Sequence, residues 1–312
     1  MRAANRTIRG RAGKKTWYMT SSYLYINQNR IHYHVWGRAG EQPALLFLHG
    51  LASNARIWEK VVPHLEQIGH PCYALDTRGH GLSDKPDSGY GFVEITRDTA
   101  AIIQSLQLER PWIIGHSWGA SLAVDYASRV RMGPFAPAGI ILVDGGMIEM
   151  KAIPGATWES ARQRLTPPRL AGMPVADFVE RLQTWNSDWG PDEQAISIIL
   201  SNFEISEDET ISPRLSLDRH MQILAAMWEF PTYERFAQVR CPVLVVPTTP
   251  KPPVPDEQRP FLAAKQQGIE RLKQINAGAQ VLWFEDTIHD IPLQRPEKLA
   301  EVIKAFVNKH QP

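Results

Sequence analysis

Cysteine is nearly missing from this chain, with two residues, Cys72 and Cys241, in 312. That rules out a disulfide framework. Each cysteine stands at an apolar run that reads as a buried strand, so both are expected as reduced core thiols of a cytoplasmic protein. A dominant charge is missing too. Lys and Arg number 34 against 33 Asp and Glu, a net charge of +1, which leaves no electrostatic case for nucleic acid or an acidic surface as partner. No apolar run approaches the roughly 20 residues of a membrane span. There is no cluster with metal-ligand spacing and no dinucleotide fingerprint, so no cofactor is expected. Internal repeats are absent, and the only biased stretch is the proline cluster from Pro247 to Pro255.

The one local imbalance lies at the start. Residues 1–16 carry Arg2, Arg6, Arg9, Arg11, Lys14 and Lys15 with no acid, and no apolar signal-peptide core follows. Residues 1–20 read as a basic, disordered tail.

Beyond it, two apolar-alternating runs at 23–27 and 31–36 flank Gln28-Asn29-Arg30 and predict an antiparallel hairpin. Uniformly apolar strands then alternate with helices. Strands are expected at 44–48, 72–75, 111–115 and 139–143, and helices at 54–68, 93–107 and after residue 117. This rhythm argues a mostly parallel sheet covered on both faces. From about Gly146 to Phe236 it stops, and the segment reads as helices and loops without a clear strand, rich in Trp and Met. It resumes with strands at 242–246 and 280–284 and helices at 257–275 and 296–307. The expected organisation is a core of residues 21–145 and 237–312, with a helical cap of residues 146–236 over the strand ends.

Gly115-His116-Ser117-Trp118-Gly119 sits at one strand-to-helix turn. A serine between glycines there is a nucleophile elbow, in which tight backbone contacts exclude Cβ atoms and the hydroxyl stands at a helix N-terminus. With Leu48-His49-Gly50-Leu51, Asp76-Thr77-Arg78-Gly79-His80-Gly81-Leu82-Ser83 and Thr287-Ile288-His289-Asp290-Ile291-Pro292, in that chain order, the sequence resembles the α/β-hydrolase fold superfamily over roughly residues 23–308. The resemblance implies an α/β fold with an eight-stranded, mostly parallel sheet, helices on both faces and a helical cap insertion. It implies Ser117 as nucleophile and His289 as its base, since a neutral hydroxyl needs one. The backbone N–H groups of Leu51 and Trp118 would form the oxyanion hole. His49, Gly50, Arg78, His80, Ser83 and His116 are expected to shape loops rather than react.

The chain departs from the superfamily at the third partner. Many members carry the acid in the loop after the strand at 242–246, before a Val-Pro pair. Here Val254-Pro255 is present, but Lys251 occupies the acid's position, and a cation cannot accept the histidine N–H. Asp144, directly after the strand ending at Val143, is the replacement, with Asp256 second. Glu285, Asp286 and Asp290 are too near His289 in sequence to face its Nδ1.

The expectation is a cofactor-free serine hydrolase of a mid-sized, fairly apolar small-molecule carboxylic ester or lactone. The alternatives are a carbon–carbon bond hydrolase of vinylogous diketones and, from another class, a ligand-binding receptor with vestigial activity. Dehalogenases and epoxide hydrolases of the superfamily use an aspartate at the elbow, where this chain has Ser117. The tryptophans and methionines of residues 146–236 either line an apolar pocket or pack the cap onto the core.

Overall fold

The computed structural model describes residues 19–37, 42–185 and 189–311. The tail expected at residues 1–20 therefore lies mostly outside the described residues. Met19 and Thr20 do not belong to it, because they open the first strand.

β1 (Met19–Ile26) and β2 (Asn29–Trp36) form a hairpin. Its two-residue turn is Asn27-Gln28, both at positive φ (47° and 67°), one residue earlier than the sequence suggested. Asparagine tolerates the left-handed conformation that such a turn imposes on its first central position. β3 (Leu45–Leu48), β4 (Cys72–Leu75), β5 (Trp112–His116) and β6 (Gly139–Val143) follow, with α1 (Phe92–Ser105) before β5 and α2 (Trp118–Arg129) after it.

The segment after β6 carries α3 (Trp158–Leu165), β7 (Met173–Pro174), α4 (Val175–Trp185), α5 (Glu193–Leu200), β8 (Phe203–Ile205), β9 (Thr210–Pro213), α6 (Leu217–Glu229) and α7 (Thr232–Phe236). β10 (Val243–Val246), α8 (Arg259–Ile275), β11 (Gln280–Val281), α9 (Ile291–Gln294) and α10 (Pro296–His310) complete the chain.

The main sheet has eight strands in the order β1-β2-β4-β3-β5-β6-β10-β11. β2 runs antiparallel to β1 and β4, and every other pair is parallel. All positions of β3, β4, β5, β6 and β10 are buried. Alternate side chains of a strand leave opposite faces, and the core divides accordingly. Leu46, Leu48, Ile113, Leu142 and Val245 pack with Ile102, Leu122 and Ile269 on one face. Leu45, Phe47, Ile114, Val143 and Val246 pack with Trp58, Leu65, Ile303 and Phe306 on the other.

Three expectations are corrected. Residues 54–68 form not one α-helix but two short 3-10 segments, Ala55–Trp58 and Val62–Ile68; Pro63 lacks the N–H that a continuous ladder needs. The last strand pairs only at Gln280 and Val281, with Phe284 rejoining through an isolated bridge to Thr248. The segment read as strandless holds a separate three-stranded antiparallel sheet, β7-β9-β8. Strands of two to four residues containing Pro and Glu carry too few positions for a period of two to be read.

That segment is fastened to loops following β3 and β4. Asn54 Nδ2 donates to Ser201 Oγ (2.8 Å) and Asn202 Oδ1 (2.6 Å), and Arg219 Nε donates to the Pro86 carbonyl (2.9 Å).

Candidate active site

Three strand ends meet at the site. Ser117 joins β5 to α2 with φ 54° and ψ −118°, a conformation that costs a non-glycine residue about 1–3 kcal/mol and persists where its surroundings impose it. Ser117 N–H donates to the Val143 carbonyl (2.9 Å), and Ala120 N–H donates to the Ser117 carbonyl (3.0 Å). Two glycines permit the fit. A Cβ on Gly119 would lie 2.4 Å from the Leu48 carbonyl oxygen, and one on Gly145 would lie 2.0 Å from that of Ser117. The close approach of backbone to backbone at these two positions leaves no room for any side chain.

Asp144 leaves the end of β6 at φ 43°, its N–H donating to the Val246 carbonyl (2.9 Å). Its carboxylate is buried and fully engaged. Oδ2 accepts from His289 Nδ1 (2.7 Å) and Thr248 Oγ1 (2.9 Å), while Oδ1 accepts from Thr248 N–H (2.9 Å) and Lys265 Nζ (2.7 Å). Lys265, from α8, also donates to the Thr248 carbonyl (2.9 Å) and Oγ1 (3.0 Å). Asp256 is not near this arrangement's hydrogen bonds: it is exposed and pairs with Arg259 at 3.2 Å. Glu285 and Asp286 are exposed, Asp290 stands at the N-cap position of α9 with no side-chain capping bond, and none of them hydrogen-bonds the His289 ring.

Ser117 and His289 are not directly bonded, for Ser117 Oγ makes no hydrogen bond among the described residues. They are tied together one residue away. His116 Nε2 donates to the His289 carbonyl (2.9 Å), and the two rings lie 4.8 Å apart. With its proton on Nε2, His116 has a bare Nδ1 that finds no partner. Burial and the nearby His289 charge lower its pKa to about 4, so it stays neutral.

Electrostatics at the pair run in opposite directions. Burial would raise the Asp144 carboxyl, but the His289 hydrogen bond and charge, with Lys265 behind them, hold it well below the usual carboxylate range. Burial would lower His289. Its imidazole keeps 49% of its surface exposed, however, and the Asp144 hydrogen bond and charge, helped by Asp290, hold it above its ordinary value while Lys265 pulls it down. An ionised acceptor on Nδ1 fixes the tautomer and leaves Nε2 as the basic nitrogen.

Trp118 is the first residue of α2, so its N–H is among those a helix leaves unpaired. The Leu51 N–H likewise has no acceptor among the described residues. The Leu51 loop lies against the elbow, since a Cβ on Gly50 would come within 3.2 Å of Ser117 Cβ. His49 shapes this loop as a neutral ring, lowered by burial. Its Nδ1 donates to the Gly50 carbonyl (2.7 Å) and its Nε2 accepts the Thr77 N–H (3.1 Å). His80 stacks on Trp118 (5.4 Å between rings), and Arg78 Nε pairs with Asp98 (2.5 Å). Among the described residues no group of His, Cys, Asp and Glu could hold a metal ion. A cavity of about 470 Å³ lined by Arg240, Cys241, Asn276 and His310 lies at the opposite end of β10 and contains none of these groups.

Sequence reasoning did not find Lys265 or Thr248. Lys265 shares a buried stripe of α8 with Ala264, Gly268, Ile269 and Leu272. A cation on an apolar stripe is the signal of a buried partner.

Comparisons with known proteins bear on the family and the fold. A profile of the alpha/beta hydrolase family matches residues 45–302. A haloalkane dehalogenase of Mesorhizobium japonicum is 36% identical over 87 residues, 28% of this chain and 28% of that protein. A 2-(acetamidomethylene)succinate hydrolase of the same organism is 38% identical over 90 residues, 29% of this chain and 32% of that protein. These matches span about a third or less of the relatives' own length. Among solved structures, a thioesterase domain from the curacin biosynthetic pathway superposes with a TM-score of 0.71 at 20% identity, covering 92% of this chain and 99% of that one, a likeness of fold. No described helix is long and apolar enough to cross a membrane.

Proposed function

We propose that this chain, which belongs to the alpha/beta hydrolase family, is a serine hydrolase that cleaves a carboxylic ester or lactone through an acyl-enzyme. The observation that carries the reading is the Asp144–His289 Nδ1 hydrogen bond (2.7 Å), made beside the strained Ser117 elbow.

In this reading Ser117 Oγ attacks the carbonyl carbon and His289 Nε2 takes the proton. Asp144 orients the ring and stabilises the imidazolium. The Leu51 and Trp118 N–H groups receive the oxyanion, each such donor being worth about 3 kcal/mol. Collapse expels the alcohol, protonated by His289, and a water activated by the same nitrogen releases the acid. An alkyl-enzyme ester would need a carboxylate at the elbow, which sets halide and epoxide chemistry aside. Lys265 and Thr248 keep Asp144 ionised in its buried position, and Asp144 supplies the acid that the loop with Lys251 lacks.

Residues 146–236 act as the cap. Its exposed and half-buried apolar side chains, Trp158 and Trp228 among them with rings 6.3 Å apart, favour an apolar acyl or alcohol group.

The test is steady-state release of p-nitrophenol from short and medium acyl esters. Wild type is expected to turn over, with Ser117→Ala lower by on the order of 10⁴ or more. Wild-type turnover in that variant would sink the reading.

A further inference from the structure

Among the described residues, one Ser–His hydrogen bond extends to a carboxylate, and it is not at the elbow. Ser21 Oγ lies 2.7 Å from His32 Nε2, and His32 Nδ1 lies 2.8 Å from Asp76 Oδ2. Asp76 is buried, and it also accepts the N–H groups of Ala55 (2.7 Å) and Leu82 (2.8 Å). Burial would raise it, but the His32 hydrogen bond and charge, with the Ala55 N–H, hold it near about 2, so it is ionised at neutral pH. An ionised acceptor places the His32 proton on Nδ1. In the neutral ring Nε2 is then the acceptor of the Ser21 O–H.

Exposure follows the gradient a reactive serine needs. Asp76 and His32 are buried, whereas Ser21 is exposed on β1, the edge strand of the sheet. Counted back from the Ile26–Asn29 pair that closes the two-residue turn, Ser21 occupies a position whose N–H points off the sheet edge. A donor therefore stands beside the hydroxyl's own carbon. His32 is held in place by Tyr23, whose ring lies 5.0 Å away, and by its own N–H donating to Ser83 Oγ (2.8 Å).

We propose that Ser21 is a second nucleophilic serine, activated by His32 and Asp76, which accepts an acyl group from small activated esters. Ser21 Oγ forms a bond to the acyl carbon while the bond to the aryloxide breaks. The hydroxyl proton passes to His32 Nε2 and from there to solvent, and nothing is oxidised or reduced. The product is a stoichiometric adduct rather than turnover. The inference stands apart from the reading of Ser117.

The experiment uses full-length Ser117→Ala protein with excess p-nitrophenyl acetate, read by p-nitrophenolate release and by peptide mapping. The expected result is a burst of about one equivalent with acetyl on Ser21. The burst should be lost in Ser117→Ala/Ser21→Ala, where the acetyllysine background is unchanged. It should be at least tenfold slower in Ser117→Ala/His32→Gln, compared as folded protein by circular dichroism. Absence of acetyl at Ser21 would overturn the proposal. So would equal Ser21 acetylation in the folded His32→Gln variant, since reactivity would then owe nothing to the relay.

Discussion

At the scale of single residues, the account turns on which groups touch His289. Asp144 accepts its Nδ1–H, while Asp256 is exposed and paired with Arg259. Asp144→Asn is therefore expected to lower kcat by about 10²- to 10⁴-fold and Asp256→Asn to leave it unchanged, as read by ester hydrolysis of the purified variants. Lys265 supplies a sharper test because it acts on the base through the acid. Its charge lowers the His289 pKa, which Asp144 raises. The base works when neutral, so activity falls as pH drops through that pKa. Lys265→Met removes the depressing charge, raises the pKa and should move the acidic limb of the kcat/KM profile to higher pH. Lys265→Arg should restore it. An unmoved limb in an active Lys265→Met enzyme would show that the cation only packs. Asp144 was legible from the sequence as a candidate, since Lys251 stood in the usual loop and Asp144 followed a strand end, and its carboxylate does bond His289 Nδ1. The cation was not, because a lone lysine in an amphipathic helix gives away its burial only through its neighbours on the stripe.

At the scale of elements, turns between strands and helices carry the constraint. Gly119 has the Leu48 carbonyl where a Cβ would stand (2.4 Å). Gly119→Ala must therefore push α2 away from β3, and esterase activity should fall at least tenfold with a lowered melting temperature. The loop after β4 is organised by Asp76, which gathers His32, Ala55 and Leu82 onto one carboxylate. Its pKa near about 2, against an ordinary 3.8, stabilises the fold by on the order of 2 kcal/mol at neutral pH. A depressed carboxylate gives this contribution in full above its unfolded pKa, and it is lost as pH falls from about 4 towards 2. Urea midpoints measured from pH 6 down to pH 2 should fall in wild type. Asp76→Asn should begin lower and lose less over that interval. The strands themselves were readable wherever they were apolar and at least four residues long. The 3-10 segments around Pro63 and the short strands β7, β8 and β9 were not, because local hydrogen-bond geometry and chain pairing decide them rather than periodicity.

At the scale of the whole molecule, the two-faced sheet accounts for the composition. Both cysteines are free, Cys72 buried within the core and Cys241 half-buried, and burial raises both thiols, Cys241 to about 12. The melting temperature should therefore be the same with and without reductant, and neither thiol should react rapidly with a disulfide reagent until the protein unfolds. The order of motifs along the chain made the fold legible and pointed to a candidate site at the strand tips, since a mostly parallel sheet brings the ends of β5, β6 and β10 to one edge. What lay beyond reach was the side-chain clamp on Asp144, which joins residues 104 and 121 positions apart. The central claim is acyl transfer at Ser117, and titration with a fluorophosphonate tests it most directly, because that adduct does not turn over. Phosphonylation mapped to Ser117 should track loss of esterase activity one for one, with any Ser21 adduct forming more slowly and without effect on activity. Full inactivation with Ser117 unmodified, or a modified Ser117 with activity intact, would contradict the account.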